Sequence, residues 1–167
     1  EYGLMRYRVY VEIQWFRSLS EHQLLAEIPQ LSSSAQSFLD QVMADFSTKD
    51  AEHIKNIEKT THHDVKAVEY FLRERFAQHP ELAAHIAFIH FACTSEDINN
   101  LAYALMIKDS LTQIVLPNLQ VVCQGLFTQA ERYAGLPLLA RTHGQAASPS
   151  TMGKEMANFA YRLQRQW

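Results

Sequence analysis

The sequence is poor in the residues that staple, coordinate or sharply bend a chain. It has 2 cysteines, 5 glycines and 5 prolines in 167 residues. Cys93 and Cys123 show no metal-type spacing, so neither a disulfide scaffold nor a cysteine metal centre is expected, and a reducing cytoplasm is the default setting. No apolar run is long enough to span a bilayer and no secretory signal pattern is present, so a membrane partner is not expected. Charge of one sign is also scarce. The formal net charge of −3 gives no general attraction for nucleic acid or acidic membranes. There is no phosphate-cradling glycine loop, no nucleophile elbow and no zinc-protease helix.

Apolar residues at helical spacing are abundant. The chain is 47% hydrophobic, enough for a real core. Leu4, Tyr7, Val11 and Trp15 stripe a first helix over residues 1–23. Ala35, Phe38, Leu39, Val42, Met43 and Phe46 stripe a second, with serines at 32–34 offering an N-cap. A third helix over 47–58 is capped by Ser47 and turns Ile54 and Ile57 inward. A fourth over 64–78 carries Val65, Val68, Leu72 and Phe76, and ends at His79-Pro80. Residues 81–91 read as a short apolar helix. Residues 95–115 form one long helical run, with Thr94 or Ser95 as its N-cap. Pro117 either starts a new helix or kinks a continuous one. Leu119, Val122, Leu126 and Tyr133 continue the stripe, and Gly135 is placed to stop it. Residues 136–150 read as irregular. A last helix over 151–166 turns Met152, Met156, Phe159, Ala160 and Leu163 inward. No segment makes a persuasive strand–turn–strand pattern, so the expected class is all-α. The change from short to long helices predicts a small helical domain over 1–93 and the first part of a helical bundle over 94–167. Glu1 opens directly on a helix pattern and Trp167 closes an unfinished one, so a portion of a longer protein is expected; ordinary processing or disordered ends are the alternative.

Three polar clusters carry the candidate chemistry. In Thr60-Thr61-His62-His63-Asp64-Val65-Lys66, two histidines and Asp64 precede a helix, where free N–H groups and the dipole favour anions. Asp64 is expected to cap that helix. The alternative is a capping turn with surface histidines, and metal binding is weaker still because no partner has ligand spacing. In Cys93-Thr94-Ser95-Glu96-Asp97-Ile98-Asn99-Asn100, two hydroxyls at a helix start are able to hold a carboxylate, or simply to cap. Cys93 reads as a buried small residue. In Arg141-Thr142-His143-Gly144-Gln145, a histidine sits in a turn-rich polar segment with Ser148, Ser150 and Thr151 close in sequence. An unperturbed imidazole exchanges protons near neutral pH, so His143 is the first acid–base candidate, with a histidine bonded to a loop backbone as the alternative.

These clusters, in this order, resemble the adenylosuccinate lyase family of the fumarase–aspartase superfamily, in its bacterial form. The first histidine motif is matched by residues 60–71 and the carboxylate-binding segment by 88–100. Residues 141–145 with 149–155 match the first region shared across the superfamily. The resemblance covers essentially the whole chain. It implies elimination of fumarate from adenylosuccinate to leave AMP, and the same elimination on the succinyl-carboxamide ribotide of purine biosynthesis. It implies that His143 is the general acid for the departing nitrogen and that His63 is the second active-site histidine. His62 and Asp64 would line the site, Thr94 and Ser95 would bind the succinyl part, and Thr142 would support His143. No metal and no cofactor is implied. The implied assembly is a homotetramer with shared active sites, acting on a small succinyl-nucleotide in the cytoplasm. Such a β-elimination needs a base for the carbon-bound proton, an acid for the nitrogen, and donors for a carbanion-like carboxylate; acid–base catalysis contributes about 10²–10⁴-fold.

The match has departures. His62 stands where close relatives carry asparagine. The family's base, a serine on a flexible glycine-rich loop, has a signature that does not occur in this sequence. The N-terminal Arg-Tyr element that holds the substrate phosphate is also missing, since Arg6 and Tyr7 lie inside a helix pattern. The chain alone is therefore expected to be inactive. Other readings are another superfamily lyase, such as argininosuccinate lyase or fumarase, and a non-catalytic helical interaction module.

Overall fold

The computed structural model describes residues 1–22 and 25–166. The expected end of the first helix at Gln23, and Trp167, lie outside the described residues. Two compact units are present, residues 1–107 and 108–167, and each is described by itself.

In the first unit, α1 (Tyr2–Glu21) is the hub. Its residues Met5, Val9, Ile13 and Phe16 join Leu39 of α2 (Ser33–Ala44), Ile54 of α3 (Thr48–Thr61) and Val68, Phe71, Leu72 and Phe76 of α4 (Asp64–Phe76) in the main core. A second, smaller core sits on another side of α1. There Val11, with Leu4 and Tyr7, meets Val65 of α4 and Ile98 and Ala102 of α6 (Ser95–Ser110). The expected stripe of Leu4, Tyr7 and Val11 is thus the minor face. A helix covered on several sides carries more than one apolar stripe, and a one-face reading finds only one of them. Each large side chain removed from water here contributes about 1.5–3 kcal/mol.

Caps explain where the helices start. Ser32 accepts the Ala35 N–H ahead of α2. Ser47 and Asp50 form a reciprocal capping box at α3, which satisfies two N–H groups that the helix leaves free. The expected Asp64 cap is displaced by one residue. His63 is the N-cap of α4: its carbonyl accepts the Ala67 N–H and its ring accepts the Lys66 N–H. Asp64, in the first turn, is turned to Arg8.

The expected helix over 81–91 also differs. It is one turn of helix, α5 (Pro80–Ala83), then a 3₁₀ turn at Ile86–Phe88. His90 and Ala92 follow with left-handed backbones, φ 62° and 57°. Tertiary bonds replace the helical ladder in this stretch. Glu12 Oε1 holds His90 Nδ1 at 2.6 Å and the Trp15 indole N–H donates to the Phe91 carbonyl at 2.8 Å.

Helical hydrogen bonding runs on from α6 through a π-turn at Leu111–Val115 into α7 (Leu116–Arg132). Pro117 therefore neither starts a separate helix nor ends one. It has no N–H to give the carbonyl four residues back, and the wider π-turn, closed by Leu116 N–H on the Leu111 carbonyl, accommodates that loss.

In the second unit, residues 136–150 correct the irregular reading. They form a β-hairpin of β1 (Pro137–Thr142) and antiparallel β2 (Gln145–Thr151), the two strands found among the described residues. Pro149 hid this pattern, yet a two-stranded ribbon has only edges, where a missing N–H is tolerated. Thr151 caps α8 (Met152–Gln164) by accepting the Lys154 N–H. Gly153 packs against the end of α7, and its N–H donates to the Tyr133 carbonyl at 2.9 Å. Of the described residues in this unit, Cys123, Gly153 and Ala160 are buried. Val122 and Phe159, expected on inward stripes, are 54% and 55% exposed.

Candidate active site

The first two polar clusters meet in the first unit. His62 closes α3 in the left-handed region at φ 50°, and His63 then extends to φ −149° as it enters α4. A left-handed residue there reverses the chain without glycine; asparagine and histidine are among the residues that tolerate it. His62 is exposed, and its backbone conformation is one that asparagine also tolerates.

The His63 ring is tethered at both nitrogens. Nδ1 accepts the Lys66 N–H at 3.1 Å, and Nε2 faces Ser95 Oγ at 3.3 Å. A neutral ring whose Nδ1 accepts must carry its proton on Nε2. Nε2–H therefore donates toward the Ser95 oxygen, which leaves the Ser95 hydroxyl hydrogen for another acceptor. Ser95 is the first residue of α6, at the positive end of its dipole, where an anionic group is stabilised.

Thr94 is engaged differently. Its N–H and its hydroxyl both donate to Asp97 Oδ2, at 2.8 and 3.1 Å. Those two bonds hold the Asp97 carboxyl below the usual carboxylate range. Ser95 and Thr94 are thus adjacent but unequal: one hydroxyl hydrogen is free and the other is committed. Cys93, just before them, has its thiol pushed up to about 11 by burial and by the negative charges of Glu12 and Asp97, so it is not an activated nucleophile.

Sequence reasoning missed the residues behind these clusters. Arg8 is 4% exposed. Its Nη2 donates to Asp64 Oδ2 at 2.6 Å and its Nε to Asn99 Oδ1 at 2.8 Å. Burial pushes the Asp64 carboxyl up, but bonds from Arg8 and the Val65 N–H outweigh it and hold the group below its ordinary range. One helical turn further on, Glu12 is 1% exposed and faces His90. Its burial raises its pKa, opposed by His90 and reinforced by Glu69. The available signal was the pair Arg8 and Glu12, opposite charges four apart and hence on one face of the helix, flanked by the apolar Val9, Val11 and Ile13.

Thr142 and His143 lie in the second unit. Thr142 pairs with Gln145 across the hairpin, and His143 and Gly144 form the tip with φ 51° and 76°. Two successive left-handed residues are the mark of the tight hairpin turn whose twist suits the flanking strands. The backbone under His143 is therefore held by a ladder, while its side chain is exposed. Among the described residues, no three His, Cys, Asp or Glu side chains are grouped as a metal site, and no helix is long and apolar enough to cross a membrane.

The sequence comparisons point to one family, and the structural ones to a shared fold. A profile described as lyase matches residues 1–167. The chain is 53% identical to an adenylosuccinate lyase of Escherichia coli over 167 residues, covering 100% of this chain and 37% of that protein. It is 55% identical to an adenylosuccinate lyase of Vibrio cholerae, with the same coverage. The chain thus spans about 37% of the length of these curated relatives. Its fold is similar to that of a fumarate lyase from Mesorhizobium (TM-score 0.75, 18% identity, 97% of this chain and 35% of that one). It is also similar to that of beta-carboxy-cis,cis-muconate cycloisomerase from Acinetobacter calcoaceticus (TM-score 0.76, 21% identity, 99% and 36%).

Proposed function

The chain belongs to the lyase family, and we propose that it is the N-terminal part of an enzyme that eliminates fumarate from adenylosuccinate, leaving AMP. The observation that carries this reading is the identity of 53% to an adenylosuccinate lyase across all 167 residues. The same site would act on the succinyl-carboxamide ribotide of purine biosynthesis, in the cytoplasm.

In this reading a base removes a proton from the carbon adjacent to the one that carries the departing nitrogen. The C–H electron pair becomes the new double bond of fumarate, the C–N bond breaks, and His143 protonates the nitrogen. An exposed imidazole on a ladder-held turn suits that role, because its position is set while its ring stays reachable. His63 gives its Nε2–H to Ser95, whose hydroxyl hydrogen is thereby left to donate to a succinyl carboxylate at the start of α6. Thr94 shapes that turn through Asp97, Asp64 and His62 border it, and Thr142 steadies His143. The base comes from chain outside these residues, so these residues alone release no fumarate. The division at residues 93 and 94 between a small helical domain and a bundle belongs to the same proposal.

The surface of the long helices supports further partners. Ile114, Val121 and Phe159 are 62%, 71% and 55% exposed, more apolar surface than a solvated helix needs. We assign that face to a helical bundle completed in a homotetramer with shared active sites.

The test is fumarate release from adenylosuccinate by the full-length enzyme and its His143→Ala variant. The expected result is a loss of at least about 10²-fold in kcat with little change in KM. Release at the wild-type rate by His143→Ala would place the acid elsewhere.

A further inference from the structure

The site proposed above depends on two helix ends from distant parts of the sequence. His63 stands at the start of α4 and Ser95 at the start of α6. Neither cluster contains the group that sets their separation. We propose that α1 supplies it: Arg8 is a positioning residue whose single buried guanidinium ties both helix ends together and so sets the His63–Ser95 geometry. This inference rests on the lyase reading of the same site.

The argument is geometric. Arg8 Nη2 reaches Asp64, the residue after His63, and Arg8 Nε reaches Asn99, one turn beyond Ser95. A guanidinium is planar, so two donors of one group hold two acceptors in a defined relation; an ammonium on a flexible stem has no such fork. The Arg8 side chain is 5% exposed, whereas that of Asp64 is 48% exposed. The cation is thus built into the interior of the unit and only the carboxylate meets solvent. Buried ion pairs are weak devices for stability, since packed apolar side chains of similar volume serve as well or better. The use of this one is to specify position.

The approach to Ser95 is held from the same helix. His90 and Ala92 adopt left-handed backbones, which for residues other than glycine persist only where surrounding contacts impose them. Glu12, one turn after Arg8, grips His90, and the Trp15 indole grips the Phe91 carbonyl. Arg8 therefore acts on a turn that is already pinned and closes the remaining freedom between α4 and α6.

The test uses the full-length lyase with Arg8→Lys and Arg8→Met. A Phe16→Leu variant is the control, since Phe16 lies in the main core against Phe76 and away from the site. Three readouts are taken: folded fraction by circular dichroism, kcat and KM for adenylosuccinate, and amide exchange at Lys66 with the ring ¹⁵N shifts of His63. Both Arg8 variants should fold and should lose about 10²-fold in kcat/KM, mostly in kcat, the scale set by a misplacement of about 1 Å. The conservative lysine should not rescue. Exchange at the Lys66 amide should quicken, because its bond to His63 Nδ1 loosens. Phe16→Leu should lose activity only in proportion to its folded fraction. The proposal is overturned if folded Arg8→Lys and Arg8→Met stay within about threefold of wild type in kcat/KM, or if their losses match their folded fractions as in the control. If wild type itself releases no fumarate, the functional reading fails separately. Unchanged Lys66 exchange and His63 shifts in Arg8→Lys then overturn the positioning role, and altered ones uphold it.

Discussion

Gly153→Ala is expected to destabilise the second unit, although alanine is the better helix former. A Cβ at Gly153 would lie 2.4 Å from the Ala130 carbonyl oxygen and 2.6 Å from both Cα and N of Ala134. Ordinary contact begins at 3.4 Å, so the shortfall to that oxygen is 3.4 − 2.4 = 1.0 Å. All three obstructing atoms are backbone, so no rotamer change relieves the clash and α8 must move off the end of α7. Overpacking of this kind costs about 1–3 kcal/mol, and a rigid obstruction belongs at the upper end. The glycine-to-alanine gain in a helix, about 1 kcal/mol at most, opposes it. The net expectation is a loss of about 2 kcal/mol, or roughly 4–8 °C in Tm for a chain of this size. The move also strains the Gly153 N–H bond to Tyr133 and the Met152 N–H bond to Leu136, which close the base of the hairpin bearing His143. Gly125→Ala is the internal control. It is also helical, but a Cβ there meets nothing within 4 Å, so the same substitution should stabilise by about 0.5–1 kcal/mol. Thermal and urea unfolding of both variants beside wild type decide the matter. A Gly153→Ala protein as stable as Gly125→Ala would refute the reasoning.

Further expectations concern the first unit. Burial pushes the Asp50 carboxyl up, but bonds from Ser47 and Arg75 prevail and hold it below its usual value. A depressed folded-state pKa means that its contribution is complete above the unfolded value of about 3.9 and is lost as pH falls through the lower folded one. The urea midpoints of wild type and Asp50→Asn should accordingly differ at neutral pH and converge in acid. At His62 the left-handed backbone predicts that His62→Asn is nearly neutral, while β-branched His62→Val costs about 1–2 kcal/mol; equal stabilities for the two variants would count against it. With its pKa near 11, Cys93 should react with iodoacetamide at pH 8 far more slowly than a free thiol, as mass spectrometry can time. In the full-length enzyme, Thr94→Ala with Ser95→Ala should weaken inhibition by fumarate analogues. Ser95→Ala alone should account for most of that effect, because the Thr94 hydroxyl is already spent on Asp97.

Much of the candidate site's geometry was legible because it is local. The His63 and Ser95 clusters stand at helix starts, and a helix start announces itself by a polar residue followed by an apolar period. The hairpin was not legible. β1 carries the unbroken apolar run Leu138, Leu139 and Ala140, β2 is mostly polar and contains Pro149, and neither buries a face, so no alternation marked them. The turn itself had a faint sign in His143-Gly144, a dipeptide able to hold two left-handed residues. Phe159 and Val122 were misplaced for a related reason: period says which residues share a face, but not what covers that face.

By itself the sequence determined α1 to α4 and α6, the caps at Ser32 and Ser47, and which polar residues stand at the helix ends. These depend on neighbours a few positions away, through i to i−4 bonds and 3.6-residue periodicity. Only the tertiary structure decided the rest. It made α1 a hub with two apolar faces, moved the α4 cap from Asp64 to His63, broke the helix before Cys93, and bound Asp64 to Asn99 through Arg8. Each of those outcomes turns on a bond between residues far apart in the chain. Its partner is chosen by the packing of whole helices, which no local window of sequence contains.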